Sequence, residues 1–290
     1  MVASRSGSGK LRACSAVACL VLAFSLLTAA PCRAQDAVVD YFADWFERVE
    51  KTQAEQPHWI TPVVTVTPRL EQEFRYDQIW QTRPHGQVLY SYGGGKGLEL
   101  IPAEKVEVIL GVPAYQTRDH GSDTDGWADW SFLFKYRIAS ANEESGNYIV
   151  TAFLGFSVPT GSQHNTQDHA IITPTLAFGK GWGNFDFQGT LGAQIPDNAV
   201  GNLGTPILAN LALQYRVMRY FWPELEVNYT YWPNGDRQGK QQIFLTPGLV
   251  IGKLPIWKRL GLTVGVGFQT AVSPHPVYHH GSIVTIRFPF

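Results

Sequence analysis

Cysteine is scarce in this sequence, and all of it lies at one end. Cys14, Cys19 and Cys32 are the only three. They fall in an N-terminal stretch that reads as an export signal. Arg5, Lys10 and Arg12 form a basic start, "ACSAVACLVLAFSLLTAA" an apolar middle, and Cys32 and Ala34 supply small residues at the spacing of a cleavage site. The cut is expected between Ala34 and Gln35. The mature chain would then hold no disulfide and no thiol chemistry, although it is exported. Charge is also sparse, at 16% of residues. That excludes a disordered chain or a nucleic-acid binder built on basic patches. Removing the leader removes four basic residues and no acid, which takes the formal charge from −1 to −5.

Long apolar runs are missing beyond the leader, so the chain is not a bundle of membrane helices. Helical periodicity is nearly missing too. It occurs once, in "AVVDYFADWFERVE" (residues 37–50), where Val38, Phe42, Trp45, Phe46 and Val49 recur at helical spacing. "AEQPHWITP" then reads as a linker.

Alternation fills the rest. In "WADWSFLFKYRI", Trp130, Phe132, Phe134, Tyr136 and Ile138 take one face, and Asp129, Ser131, Lys135 and Arg137 take the other. "FDFQGTLGAQI", "ILANLALQYRV", "LEVNYTY" and "LTVGVGFQ" repeat the pattern. About twelve strands follow, near 64–80, 88–101, 106–116, 127–139, 147–158, 170–180, 185–196, 206–217, 224–232, 243–252, 261–272 and 282–290. Their connectors alternate between tight turns and longer polar loops, the layout of an up-and-down barrel. Lys96 would fall on the apolar face unless the glycines of "SYGGGKGLEL" reset the phase with a bulge, and Gln72 is a second polar residue on that face.

The two faces differ in chemistry. One is aromatic and aliphatic with almost no charge. The other carries Arg69, Glu71, Glu73, Arg75, Glu107, Lys135, Arg137, Glu226 and Arg287, which cannot form an apolar core. The apolar face therefore belongs in lipid and the charged face around a wet lumen, and a sheet in lipid must close. The expected fold is all-β: a transmembrane antiparallel up-and-down β-barrel preceded by a signal peptide and a short amphipathic helix. The expected divisions are 1–34 leader, 35–60 periplasmic helix and linker, and 61–290 barrel in a bacterial outer membrane. The lumen-lining set is Arg69, Glu71, Glu73, Arg75, Asp129, Lys135, Arg137, Asp186, Arg216, Glu226 and Arg287.

The chain ends on "IVTIRFPF", with Val284, Ile286, Phe288 and Phe290 on one face. This resembles the C-terminal signature of bacterial outer-membrane proteins, which implies recognition of Phe290, Phe288 and Ile286 by the barrel-assembly machinery. "FLGFSVPTG" (153–161), "YGGGKGLEL" and "LGVPAY" together resemble the outer-membrane family named for the MetA pathway of phenol degradation. The resemblance runs over about residues 60–290. It implies a transporter barrel for aromatic or other hydrophobic compounds and carries no substrate-binding residues onto this chain.

The residues leave other functions to weigh. A passive channel for small solutes is the first expectation, with a non-conducting structural barrel beside it. A lipid hydrolase would need a nucleophile and a histidine near the outer rim, and Ser273, His275, His279 and His280 share one loop without a hydrolase motif. Metal capture would use loop histidines such as His85, His120, His164, His169 and the pair His275 and His279, but Pro274 and Pro276 deny that pair a helix. Neither a catalytic site, a cofactor nor a metal is expected; the partners expected are outer-membrane lipids, the assembly machinery and a small solute, with no nucleic acid.

Overall fold

The computed structural model describes residues 31–94, 96–119 and 125–290. The leader expected over 1–34 lies almost wholly outside them; Ala34 and Gln35 fall in the first helix, α1 (Pro31–Ala43). The chain divides into two compact units, residues 1–47 and 48–290. Helix α2 (Trp45–Ala54) runs across that boundary into the second unit.

The second unit is a closed antiparallel barrel of twelve strands, some of them interrupted. Its segments are β1 (Glu73–Thr82), β2 (Val88–Tyr92), β3 (Gly97–Ala103), β4 (Val106–Gly111), β5 (Tyr115–Arg118), β6 (Gly126–Trp127), β7 (Trp130–Ala141) and β8 (Tyr148–Val158). They continue with β9 (Ile171–Trp182), β10 (Phe185–Ala193), β11 (Ile195–Pro196), β12 (Ile207–Tyr215), β13 (Phe221–Tyr231), β14 (Gln241–Trp257), β15 (Leu260–Ala271) and β16 (His280–Pro289). β2 and β3 both pair with β1, and they act as one strand broken near Gly93–Lys96. β4 with β5, β6 with β7, and β10 with β11 are broken in the same way.

β1 and β16 close the cylinder in unbroken register from Glu73↔Pro289 to Thr82↔His280. Closure leaves no open edge, as lipid requires. An even strand number brings both termini of the barrel to the end that carries the tight turns.

The wall is apolar outside and charged inside. Along β7, Phe134 and Tyr136 are 45% and 53% exposed, whereas Lys135 and Arg137 are 1% and 2% exposed. A soluble protein shows the reverse pattern, because water, not lipid, meets its outer face. Phe74, Leu154, Leu176, Leu191 and Val266 extend the apolar outer surface around the barrel.

The first strand differs from its expected span. It begins at Glu73, not at residue 64. Residues 55–72 form no strand; they are extended chain inside the cylinder. Extended chain alternates its side chains whether or not it joins a ladder, so "VVTVTPRLEQ" looks the same in sequence either way. Pro62 and Pro68 cannot donate to a ladder, which favours the lumen over the wall.

Candidate functional site: a plugged lumen

α2 reaches the tight-turn rim of the barrel. Thr52 donates its hydroxyl to the carbonyl of Glu104 (3.1 Å), and Lys51 pairs with the Glu104 carboxylate (2.6 Å). Arg137 on β7 donates to the Thr52 carbonyl (2.7 Å) and pairs with Glu55 (2.7 Å). The chain then enters the lumen, turns near Val63–Val66 and returns to start β1. We call residues 55–72 the plug.

Gln56 closes the base of this loop. Its side-chain amide donates to the Leu70 carbonyl (2.8 Å) and accepts from the Leu70 N–H (2.9 Å), as a neighbouring strand would. Ion pairs stiffen it: Arg69 pairs with Glu71 (2.9 Å) and donates to the Trp59 carbonyl. Trp59 and Val63 are buried against Ile149, Trp222, Val250 and Ile283 of the wall. Gly179 and Gly181 make room for the Trp59 ring: a Cβ at either would stand 2.6 Å from it.

The charged inner wall serves the plug's backbone. Glu224 accepts from the Val63 N–H (3.0 Å), and Glu226 accepts from Val64 (2.7 Å) and Thr65 (2.5 Å). Arg75 donates to the Val63 carbonyl (2.5 Å), and Arg287 donates to the carbonyls of Thr61 and of Pro62 (2.6 Å for the latter). Lys135 donates to the Arg69 carbonyl (3.1 Å) and pairs with Glu107 (2.9 Å), which also accepts from the Glu71 N–H (2.6 Å). Thr151 donates to the Pro68 carbonyl (2.6 Å), and Gln188 donates to that of Ile60 (2.9 Å). A non-ladder backbone buried in a barrel must find partners, and these side chains supply them.

The lumen set expected from sequence thus separates into groups. Glu73, Arg75, Lys135, Arg137, Asp186, Glu226 and Arg287 are buried on the inner wall. Arg69 and Glu71 are inside the lumen but belong to the plug. Arg216 is exposed at the tight-turn rim, over the Trp222 ring at 5.6 Å. Asp129 stands at the long-loop end and accepts from the N–H groups of Gly161 and Gln167, both 2.8 Å. Gln72 and Lys96 do not face lipid. Gln72 is buried and accepts from the Ile101 N–H (3.1 Å), and the break at Gly93–Lys96 turns Lys96 into the lumen. Glu224, Gln188 and Thr151 are further contacts of the plug, as is Glu107 of the charged face. Glu224 had a usable signal: it precedes Glu226 by two and so shares its face.

The plug divides the interior. A cavity of about 320 Å³ on the tight-turn side is lined by Trp59, Trp222, Arg216, Arg219, Lys253 and Glu73, among others. A second of about 440 Å³ lies beyond the tip, lined by Val63, Val64, Val66, Ile79, Ile109, Leu133 and Ile283 together with Arg75, Asp77, Lys96 and Asp129.

The loop residues considered for hydrolysis are spread over other tasks. The Ser273 hydroxyl accepts from the Ile243 N–H (2.9 Å), and His280 stacks on Phe268 at 6.0 Å. Among the described residues no three His, Cys, Asp or Glu side chains gather as metal ligands.

Fold and lumen together define an outer-membrane type of β-barrel with an internal plug. The chain is similar in structure to an outer membrane channel from Pseudomonas putida F1, at 12% identity and a TM-score of 0.56, over 74% of this chain and 93% of that one. It overlaps more loosely with OmpF of Salmonella typhi (9% identity, TM-score 0.37, 75% and 96% covered). An anion-selective porin from Comamonas acidovorans gives 14% identity and a TM-score of 0.33, with 71% and 59% covered. No family model and no curated protein matches the sequence.

Proposed function

We propose that the chain is an outer-membrane channel or transporter for small solutes, gated by displacement of its own plug. The plug's tie to the wall carries this reading. It is made largely of side-chain-to-backbone hydrogen bonds, which water can replace when the segment moves. Apolar packing centres on Trp59 and Val63, with Ile60 and Val64 beside them. The outer cavity, about 440 Å³ with an aliphatic lining and four charged side chains, has the size and chemistry of a site for a small, partly apolar molecule. That agrees with the aromatic or hydrophobic solutes implied by the resemblance to the MetA-pathway family. In this reading the leader is cut after Ala34, the barrel resides in the outer membrane, and Phe290, Phe288 and Ile286 address it to the assembly machinery.

The filled lumen also favours a second reading, a structural barrel that conducts nothing. One experiment separates the two. Uptake of a small aromatic solute is measured in cells with few other porins, carrying no copy, the wild type or Glu226→Ala. The channel reading expects faster uptake with the protein and faster still with the variant. Equal rates in all three would leave the structural barrel standing.

A further inference from the structure

The plug is hydrogen-bonded to β1, β4, β7, β8, β10, β13 and β16 and packed on β14. Beside these ties, at β1 and β3, a group of buried polar atoms is left unpaired among the described residues. Glu73 and Glu99 are direct cross-strand partners there, 4% and 1% exposed. One oxygen of each, together with Gln72 Nε2 and Arg75 Nη1, has no hydrogen-bond partner among the described residues.

These atoms form one patch, since Glu73 interacts electrostatically with Glu99, Arg75 and Arg287, and Lys96 with Glu99. Two are acceptors and two are donors. A bare cation would satisfy only the acceptors, whereas water satisfies both kinds. The patch borders both cavities. Glu73 lines the one on the tight-turn side, and Arg75 and Lys96 line the one beyond the tip.

We propose that water and small ions pass the docked plug along this face, and that the Glu73–Glu99 pair is the constriction that sets their selectivity. Arg75 is paired with Asp77 at 2.7 Å, and the two glutamates stand side by side with no direct ion pair among the described residues, although Arg75, Arg287 and Lys96 act on them from further off. Two adjacent carboxylates leave room for a mobile cation as additional counter-charge. The inference rests on the channel reading for its setting, yet it needs no plug movement, and that difference makes the two separable.

The test locks the plug. Thr65 and Asn228 touch across the lumen, Nδ2 to Oγ1 3.4 Å. The pair Thr65→Cys and Asn228→Cys is joined by a short thiol-reactive linker, and coupling is verified by mass. Ion conductance is then read in planar bilayers. The locked protein is expected to retain its open-state conductance within about twofold. In a KCl gradient, Glu99→Gln and Glu73→Gln should move the reversal potential toward anions, and Lys96→Gln should move it toward cations. A locked protein that is silent overturns the proposal, as does a reversal potential that none of the three variants moves. Lys96→Gln alone decides should both glutamate variants fail to fold. Solute uptake by unlocked protein with a silent locked form would sink the bypass and spare the channel; locked conductance without solute uptake would do the opposite.

Discussion

Glu226 on β13 holds Thr65, 161 residues away, by a 2.5 Å hydrogen bond from the Thr65 backbone N–H. Its other oxygen takes the N–H of Val64 at 2.7 Å. One wall carboxylate thus fixes two successive peptides at the tip of the plug. Bonds to a charged group contribute roughly 1.5–3 kcal/mol each. Glu226→Ala removes both and leaves the buried Thr65 N–H and the part-buried Val64 N–H unpaired. A loss of about 3 kcal/mol would shift the docking equilibrium roughly a hundredfold. The expected outcome is larger and noisier single-channel conductance, with faster protease cleavage within residues 55–72. A conductance trace identical to wild type would show that Glu226 does not hold the plug.

Most of the barrel was legible in the sequence, and the plug was not. The strands near 127–139, 185–196, 206–217 and 224–232 keep the expected faces, because lipid outside and water or charge inside enforce strict alternation. Lys96 was legible only as a conflict: it broke the apolar stripe at a glycine run, and the structure shows the chain breaking there. Residues 64–72 failed for a different reason. Their alternation is that of a strand, but N–H groups among them bond to the side chains of Glu226, Glu107 and Gln56 instead of to a neighbouring backbone. A partner 161 residues distant leaves no local trace. The lumen charges were found as a face; their task, satisfying a buried backbone, was not visible without the plug.

The indole of Trp59 tests the packing half of the plug's attachment. A Cβ at Gly179 would lie 2.6 Å from its Cζ3. Gly179→Ala forces either the ring or the wall to move, at a cost of about 1–3 kcal/mol. Tryptophan fluorescence is expected to shift to the red as the ring leaves its buried place. Gly201→Ala is the control, since nothing lies within 4 Å of a Cβ there. Equal spectra for both variants would place Trp59 elsewhere.

Acid should loosen the mouth of the plug. His58 donates its backbone N–H to Glu143 (2.6 Å), and its ring meets the other oxygen at 2.8 Å, in the tight turn between β7 and β8. Partial burial raises the Glu143 carboxyl, but the ring and backbone hydrogen bonds from His58 outweigh it and hold the group down at about 2. A depressed carboxyl gives stability that is complete above its unfolded value near 4.5 and is lost as pH falls toward 2. Both side chains are well exposed, so screening limits the effect to about 1 kcal/mol. Protease access to residues 55–60 is expected to rise between pH 4.5 and 2 in the wild type. Glu143→Gln should show the raised access already at neutral pH and change less on acidification.

One pair of assays separates two readings of Phe290. The Phe290 N–H donates to the Gln72 carbonyl at 3.0 Å, which ties the chain end to the base of the plug beside the β1–β16 seam. Phe290→Ala keeps that backbone bond and removes only the ring, which faces outward with Phe288 and Ile286. If the ring merely braces the seam, folding into detergent micelles and assembly in cells should both fall, each in line with a loss of about 1–2 kcal/mol. If the ring is read by the assembly machinery, refolding in micelles should stay near wild type while assembly in cells drops several-fold. The shift in gel mobility between unheated and boiled samples measures the folded fraction in both. We expect the second pattern, with Phe290→Tyr restoring most of the assembly in cells. Parallel losses in both assays would reduce the C-terminal signature to a piece of wall.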